Sequence, residues 1–101
     1  MSVSVTITVT GSHLGYTSTP SPTQPTGGYT PPPAVVTFTN NASDNITVWY
    51  TNGTANGSEN INTGHSGTAI TVAASTNFDY WVVKQGNPKP LNPAHVIHVG
   101  A

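Results

Sequence analysis

Apolar and polar residues alternate with a period of two along most of this chain. Residues 2–10, SVSVTITVT, set Val3, Val5, Ile7 and Val9 on one face and Ser4, Thr6, Thr8 and Thr10 on the other. Strict alternation of this kind marks a half-buried β-strand. Residues 34–53, AVVTFTNNASDNITVWYTNG, hold two further runs of β-branched and aromatic residues, at 35–39 and 46–51. Asn, Ser and Asp at 40–45 favour a turn, because their short side chains hydrogen-bond the neighbouring backbone. The two runs predict an antiparallel pair joined by a six-residue connection. Phe38, Ile46, Val48 and Tyr50 fall on its buried side, and Trp49 on the opposite face.

The alternation continues beyond this pair. Asn52-Gly53 is a turn signal, and Asn56-Gly57 repeats it. Residues 58–63 form a weak strand whose one apolar residue, Ile61, suits an edge. Residues 68–74, TAITVAA, and 78–84, FDYWVVK, are predicted strands, with a short turn at 75–77 between them. The second of these is apolar on both faces and reads as a central strand. A loop over 85–93 carries three prolines, and 94–99, AHVIHV, is the last strand.

No stretch has helical periodicity. About seven short strands with turns between them predict one all-β domain over residues 1–101, an antiparallel β-sandwich of immunoglobulin-like kind. By that analogy ITVW is a third strand with a buried Trp. A jelly roll or partial barrel is the alternative.

Residues 15–33, GYTSTPSPTQPTGGYTPPP, interrupt the pattern with six of the nine prolines. Proline fixes φ and lacks a backbone donor, so the segment reads as a long loop or arm rather than a central strand. Tyr16 and Tyr29 argue for an ordered loop over a flexible linker. The first strand must then return to a sheet, in its own subunit or, by strand donation, in a neighbour.

Composition narrows the function. Only Asp44, Glu59, Asp79, Lys84 and Lys89 are formally charged, 5% of the chain against about 25% in an average domain. Two lysines and no arginine cannot make a basic track, which argues against nucleic acid and against docking to anionic membranes. No run approaches the roughly 20 apolar residues of a spanning helix. The absence of cysteine removes disulfides, thiolate metal sites and cysteine nucleophiles. Residues 1–10 lack the basic start and continuous apolar block of a signal peptide. The expected location is cytoplasmic as synthesised, or a mature surface, extracellular or virion form beginning with an added Met1.

Catalytic parts are missing. Asp44, Glu59 and Asp79 belong to separate elements, whereas acid–base work on sugars needs two carboxylates across one cleft. No serine sits in a G-x-S-x-G elbow, and no glycine loop resembles a phosphate cradle. His95 and His98 are an odd number of positions apart and point to opposite faces, so with His13 and His65 they predict no metal site; no cofactor is expected. Asn41, Asn45, Asn52 and Asn56 each open an Asn-X-Ser/Thr pattern, which a chain this rich in Asn, Ser and Thr generates by chance.

Two functions fit what is left, neither of them enzymatic. One is a structural protein that self-associates into a filament, coat, capsid or inclusion. It draws on the near absence of repulsive charge and on an uncharged first strand, with Val3, Val5, Ile7, Val9, Tyr16 and Tyr29 as candidate contacts. The alternative is a carbohydrate-binding module or small lectin. There Trp49, Tyr50 and Trp81 would present ring faces to a sugar, and Asp79 would accept its hydroxyl protons.

Overall fold

The computed structural model describes residues 2–53 and 55–101. Met1 lies outside them, as does Thr54, the last residue of the acceptor pattern that opens at Asn52. Eight strands follow in order: β1 (Val3–Ser12), β2 (Gly15–Ser21), β3 (Ala34–Asn40), β4 (Ile46–Asn52), β5 (Ala55–Ile61), β6 (Ile70–Val72), β7 (Asn77–Lys84) and β8 (His95–His98). They form two four-stranded sheets, ordered β2-β1-β3-β6 and β5-β4-β7-β8. Every pair is antiparallel except β1 and β3, which run parallel with Ile7 opposite Phe38.

The second sheet has the order C′-C-F-G of an immunoglobulin sandwich, and β3 and β6 pair as its B and E strands do. The hairpin β1–β2 is added along the remaining edge of β3. The fold is thus the expected all-β, immunoglobulin-like sandwich, with eight strands where about seven were read from the sequence.

The inner faces follow from the alternation. Val5, Ile7 and Val9 of β1 and Val36 and Phe38 of β3 are buried against Ile46 and Val48 of β4 and Phe78 and Tyr80 of β7. Aromatic rings fill the middle: Tyr80 meets Phe38 edge-on at 5.1 Å, and Tyr50 stacks on Phe78 at 5.5 Å. The Tyr80 hydroxyl reaches the opposite sheet and lies 2.7 Å from Ser18 Oγ on β2.

Three local expectations are corrected. First, β3 and β4 are not a hairpin. They belong to different sheets, and residues 41–45 carry the chain across the end of the sandwich. Second, Asn56-Gly57 is no turn but lies inside β5. Third, residues 15–21 of the proline-rich segment form β2. Its Pro20 sits opposite Ile7 on an edge strand, where a missing N–H is tolerated.

The rest of that segment, residues 22–33, closes the other end of the sandwich. Tyr29 is 1% exposed, and its backbone bonds to His98 O and from Gly100 N, at 2.8 and 3.0 Å. Its hydroxyl donates to Pro22 O at 2.6 Å, and Gln24 Oε1 accepts from His98 N. The Cα radius of gyration, 12.8 Å, equals the ~13 Å of a compact domain this long, and among the described residues the proline-rich segment lies on the body. β1 pairs on both sides within its own chain.

Three of the four sheet edges are short or blunted, as aggregation resistance requires. β6 has three residues, β8 has four, and β2 carries Pro20. β5 is longer, and its one charge, Glu59, is aligned with Val48 on the inner side. Glu59 Oε2 accepts from Thr68 N and Oγ1 at 3.0 and 3.1 Å, while Oε1 is buried with no partner among the described residues. Gly67 is what makes room: a Cβ there would meet the carboxylate.

Asn40 holds the crossing end. It is fully buried, its Nδ2 donates to Asp44 O and Ile61 O, and its Oδ1 accepts from Ala42 N, each at 2.9 Å. Asn40→Ala would leave buried backbone groups without partners, each costing about 1–3 kcal/mol. A net loss of about 3 kcal/mol is expected, read as a lower urea midpoint with an unchanged slope.

Candidate functional site

The outer face of the second sheet carries the exposed aromatic chemistry. Thr47, Trp49 and Thr51 alternate outward on β4, and Asp79, Trp81 and Val83 do so on β7. The register sets Trp49 opposite Trp81, Thr51 opposite Asp79 and Thr47 opposite Val83. On the other side of β4, Asn56, Ser58 and Asn60 of β5 stand opposite Thr51, Trp49 and Thr47. Both indoles are half-buried. The buried Trp expected on the third strand by immunoglobulin analogy is therefore not found. Trp49 faces outward, and Phe38, Phe78 and Tyr80 fill the interior instead.

The loop between β7 and β8 folds back over this face. Trp49 Nε1 donates to Asn87 O at 3.3 Å, and Trp81 Nε1 to Asn92 O at 2.9 Å. Lys89 Nζ lies 4.3 Å from the centroid of the Trp81 ring, a cation–π contact that caps that indole. Trp49 is left as the aromatic wall of two clefts. One, of about 320 Å³, is lined by Trp49, Tyr50, Thr51, Asn56, Gly57, Ser58 and Lys89. The other, of about 480 Å³, is lined by Thr47, Trp49, Ser58, Asn60, Gln85, Gly86, Asn87 and Pro88. Both volumes fall at the low end of the range for small-molecule sites.

Tyr50 also lines the first cleft, while its ring stacks on Phe78 on the inner side. Its ring passes over Gly57, where a Cβ would come within 2.5 Å of it. Of the four residues proposed for carbohydrate, Trp49 and Tyr50 line a cleft. Trp81 lies beside them under Lys89, and Asp79 lines neither. The β5 residues Asn56, Gly57, Ser58 and Asn60 and the loop residues Gln85, Asn87 and Lys89 are not among the carbohydrate-site residues expected from the sequence. Glycine between two polar residues reads as a turn, and only the register reveals it as clearance for Tyr50.

The candidate self-association residues lie elsewhere. Val5, Ile7, Val9 and Tyr29 are in the core, and Val3 and Tyr16 are half-buried and packed against it. The uncharged first strand that this reading draws on is β1, an inner strand of its sheet with a partner on each side.

The histidines are dispersed. His98 Nδ1 meets Asn77 Oδ1 at 2.6 Å, and His95 stacks on Tyr80. Among the described residues no three His, Asp or Glu side chains are grouped closely enough to hold a metal ion. His13 donates its backbone N–H to Asp44 Oδ2 at 2.8 Å, and the Tyr16 hydroxyl donates to the same oxygen at 3.1 Å. The backbone bond from His13 is the main cause that holds the Asp44 carboxyl below its usual range. Burial first, and the Asp44 hydrogen bond second, push the Tyr16 phenol up to about 12. Comparison of the chain with protein-family models, curated proteins and solved structures returns no significant match.

These shifts give stability a defined pH dependence. Tyr16, and in the same direction Tyr29 and Tyr80, keep their protons in the folded state above the ordinary phenol value of about 10. The Tyr16 contribution is fully present below about pH 10 and is lost as pH rises through about 12, and those of Tyr29 and Tyr80 fall in the same direction above pH 10. Asp44 acts at the other end, its contribution fading as pH falls below the usual carboxylate range. Thermal melts across pH are expected to be flat near neutrality and to drop at both extremes. Tyr16→Phe should make the alkaline drop shallower.

Proposed function

We propose that the protein is a non-enzymatic, immunoglobulin-like recognition module that binds carbohydrate on the outer face of the β5-β4-β7-β8 sheet. The supporting observation is Trp49, a half-buried indole held by Asn87 O and flanked on two sides by clefts rich in amide and hydroxyl side chains. A sugar ring has an apolar C–H face and a rim of hydroxyls. An aromatic wall takes the first, and Thr, Ser and Asn take the second. The face lacks a carboxylate pair, so it is suited to holding a glycan rather than cleaving one.

A glycan array probed with the wild-type protein is expected to show binding. Trp49→Ala should reduce it by ~30-fold or more, since truncating a central aromatic contact typically costs about 2 kcal/mol or above. Trp81→Ala should reduce it less, because Lys89 covers that ring. A blank array with folded protein would end this reading.

Self-association is the second reading. Formal net charge is −1, and the outward residues of the free β5 edge, Asn56, Ser58 and Asn60, carry no charge. β5 rather than β1 would be the pairing edge. Size-exclusion chromatography with light scattering at increasing concentration tests it: growth in mass supports assembly, and a monodisperse monomer throughout removes it.

A further inference from the structure

Resting on the carbohydrate reading, we infer that the two clefts are halves of one trough and that its ligand is a neutral, extended oligosaccharide lying across Trp49. Trp49 and Ser58, register partners on β4 and β5, line both clefts. From this shared midpoint the first cleft continues to Thr51 and Asn56, the next outward pair along the strands. The second continues the opposite way to Thr47 and Asn60. The trough therefore runs parallel to the strands. Asn56 and Asn60 mark points about 13 Å apart at the rise of an extended chain. That span exceeds one sugar ring.

The lining also selects on charge. Lys89 is the one charged residue among the lining side chains, and its ammonium sits over the Trp81 ring. The other polar groups are amides and hydroxyls, which exchange hydrogen bonds with sugar hydroxyls. Uronate, sulfate or phosphate groups would need the cationic forks that charge-assisted pairing uses. Asn60 spends its Oδ1 on Thr47 Oγ1 at 2.6 Å, so its amide N–H groups are what it offers a ligand. Among the described residues no strand lies beyond β5, so the trough is open along one side, and an internal stretch of a long chain can enter it sideways.

Calorimetric titration with neutral cello-, xylo- and manno-oligosaccharide ladders, and with a ladder of whichever glycan the array returns, tests this. Affinity is expected to rise at least tenfold from the disaccharide to the pentasaccharide and then level off. Asn56→Ala and Asn60→Ala, on opposite sides of Trp49, should each weaken the longest ligand by about fivefold, the worth of one net hydrogen bond. Thermal melts check that both variants remain folded. Added salt should leave the affinity unchanged. Binding that does not grow with length, or that feels only one of the two substitutions, would reduce the site to a single cleft and overturn the inference alone. Tighter, salt-sensitive binding of oligogalacturonate would overturn its neutrality. Absence of any glycan binding is the separate failure of the parent reading.

Discussion

The sandwich depends on one buried amide. Asn40 ends β3 inside the protein, where its side chain satisfies the backbone of two separate chain crossings. Through Asp44 O and Ala42 N it shapes the passage from β3 to β4; through Ile61 O it anchors the end of β5, from which the chain returns to the first sheet. Its own backbone bonds to His65 O and from Gly64 N, so both crossings share one polar hub. A buried backbone group without a partner costs more than the average hydrogen bond yields. The hub therefore specifies this arrangement of sheets over alternatives in which β3 and β4 pair directly.

Much of the fold was legible because alternation is a strong signal. The first strand, the edge character of β5 and the central place of β7 all follow from which positions are apolar. The β3–β4 connection was misread for a physical reason. A polar six-residue link serves equally for a hairpin within one sheet and for an arch between two, since both bury the same faces. The inward turn of Asn40 decides between them, and an Asn at a strand end looks like any other turn residue. β2 was hidden by Pro20 and its proline neighbours, because propensity argues against a strand wherever proline gathers. Pairing on one side only, and the bond between Ser18 and Tyr80, override that preference.

The candidate site was half legible. Trp49 and Tyr50 stand out as adjacent aromatics on opposite faces, yet nothing in the sequence indicates that both line one cleft or that the Tyr50 ring lies over Gly57. That convergence needs the β4–β5 register and a glycine at the crossing point. Nor can sequence distinguish the two indoles. The loop after β7 covers Trp81 with Lys89 and leaves Trp49 facing the clefts. Asp79, attractive beside an aromatic pair, is carried by the register to a position outside both.

Scarcity of charge has a consequence for the medium this molecule tolerates. Its few ionic groups are mostly engaged at short range: Asp44 with His13 and Tyr16, Glu59 with Thr68, Lys89 with an indole. Ions in solution screen fields that act across a Debye length, ~10 Å at 0.1 M, and here there is almost no such field to screen. Cohesion rests on apolar packing and neutral hydrogen bonds, so brine and fresh water are nearly equivalent surroundings for this fold.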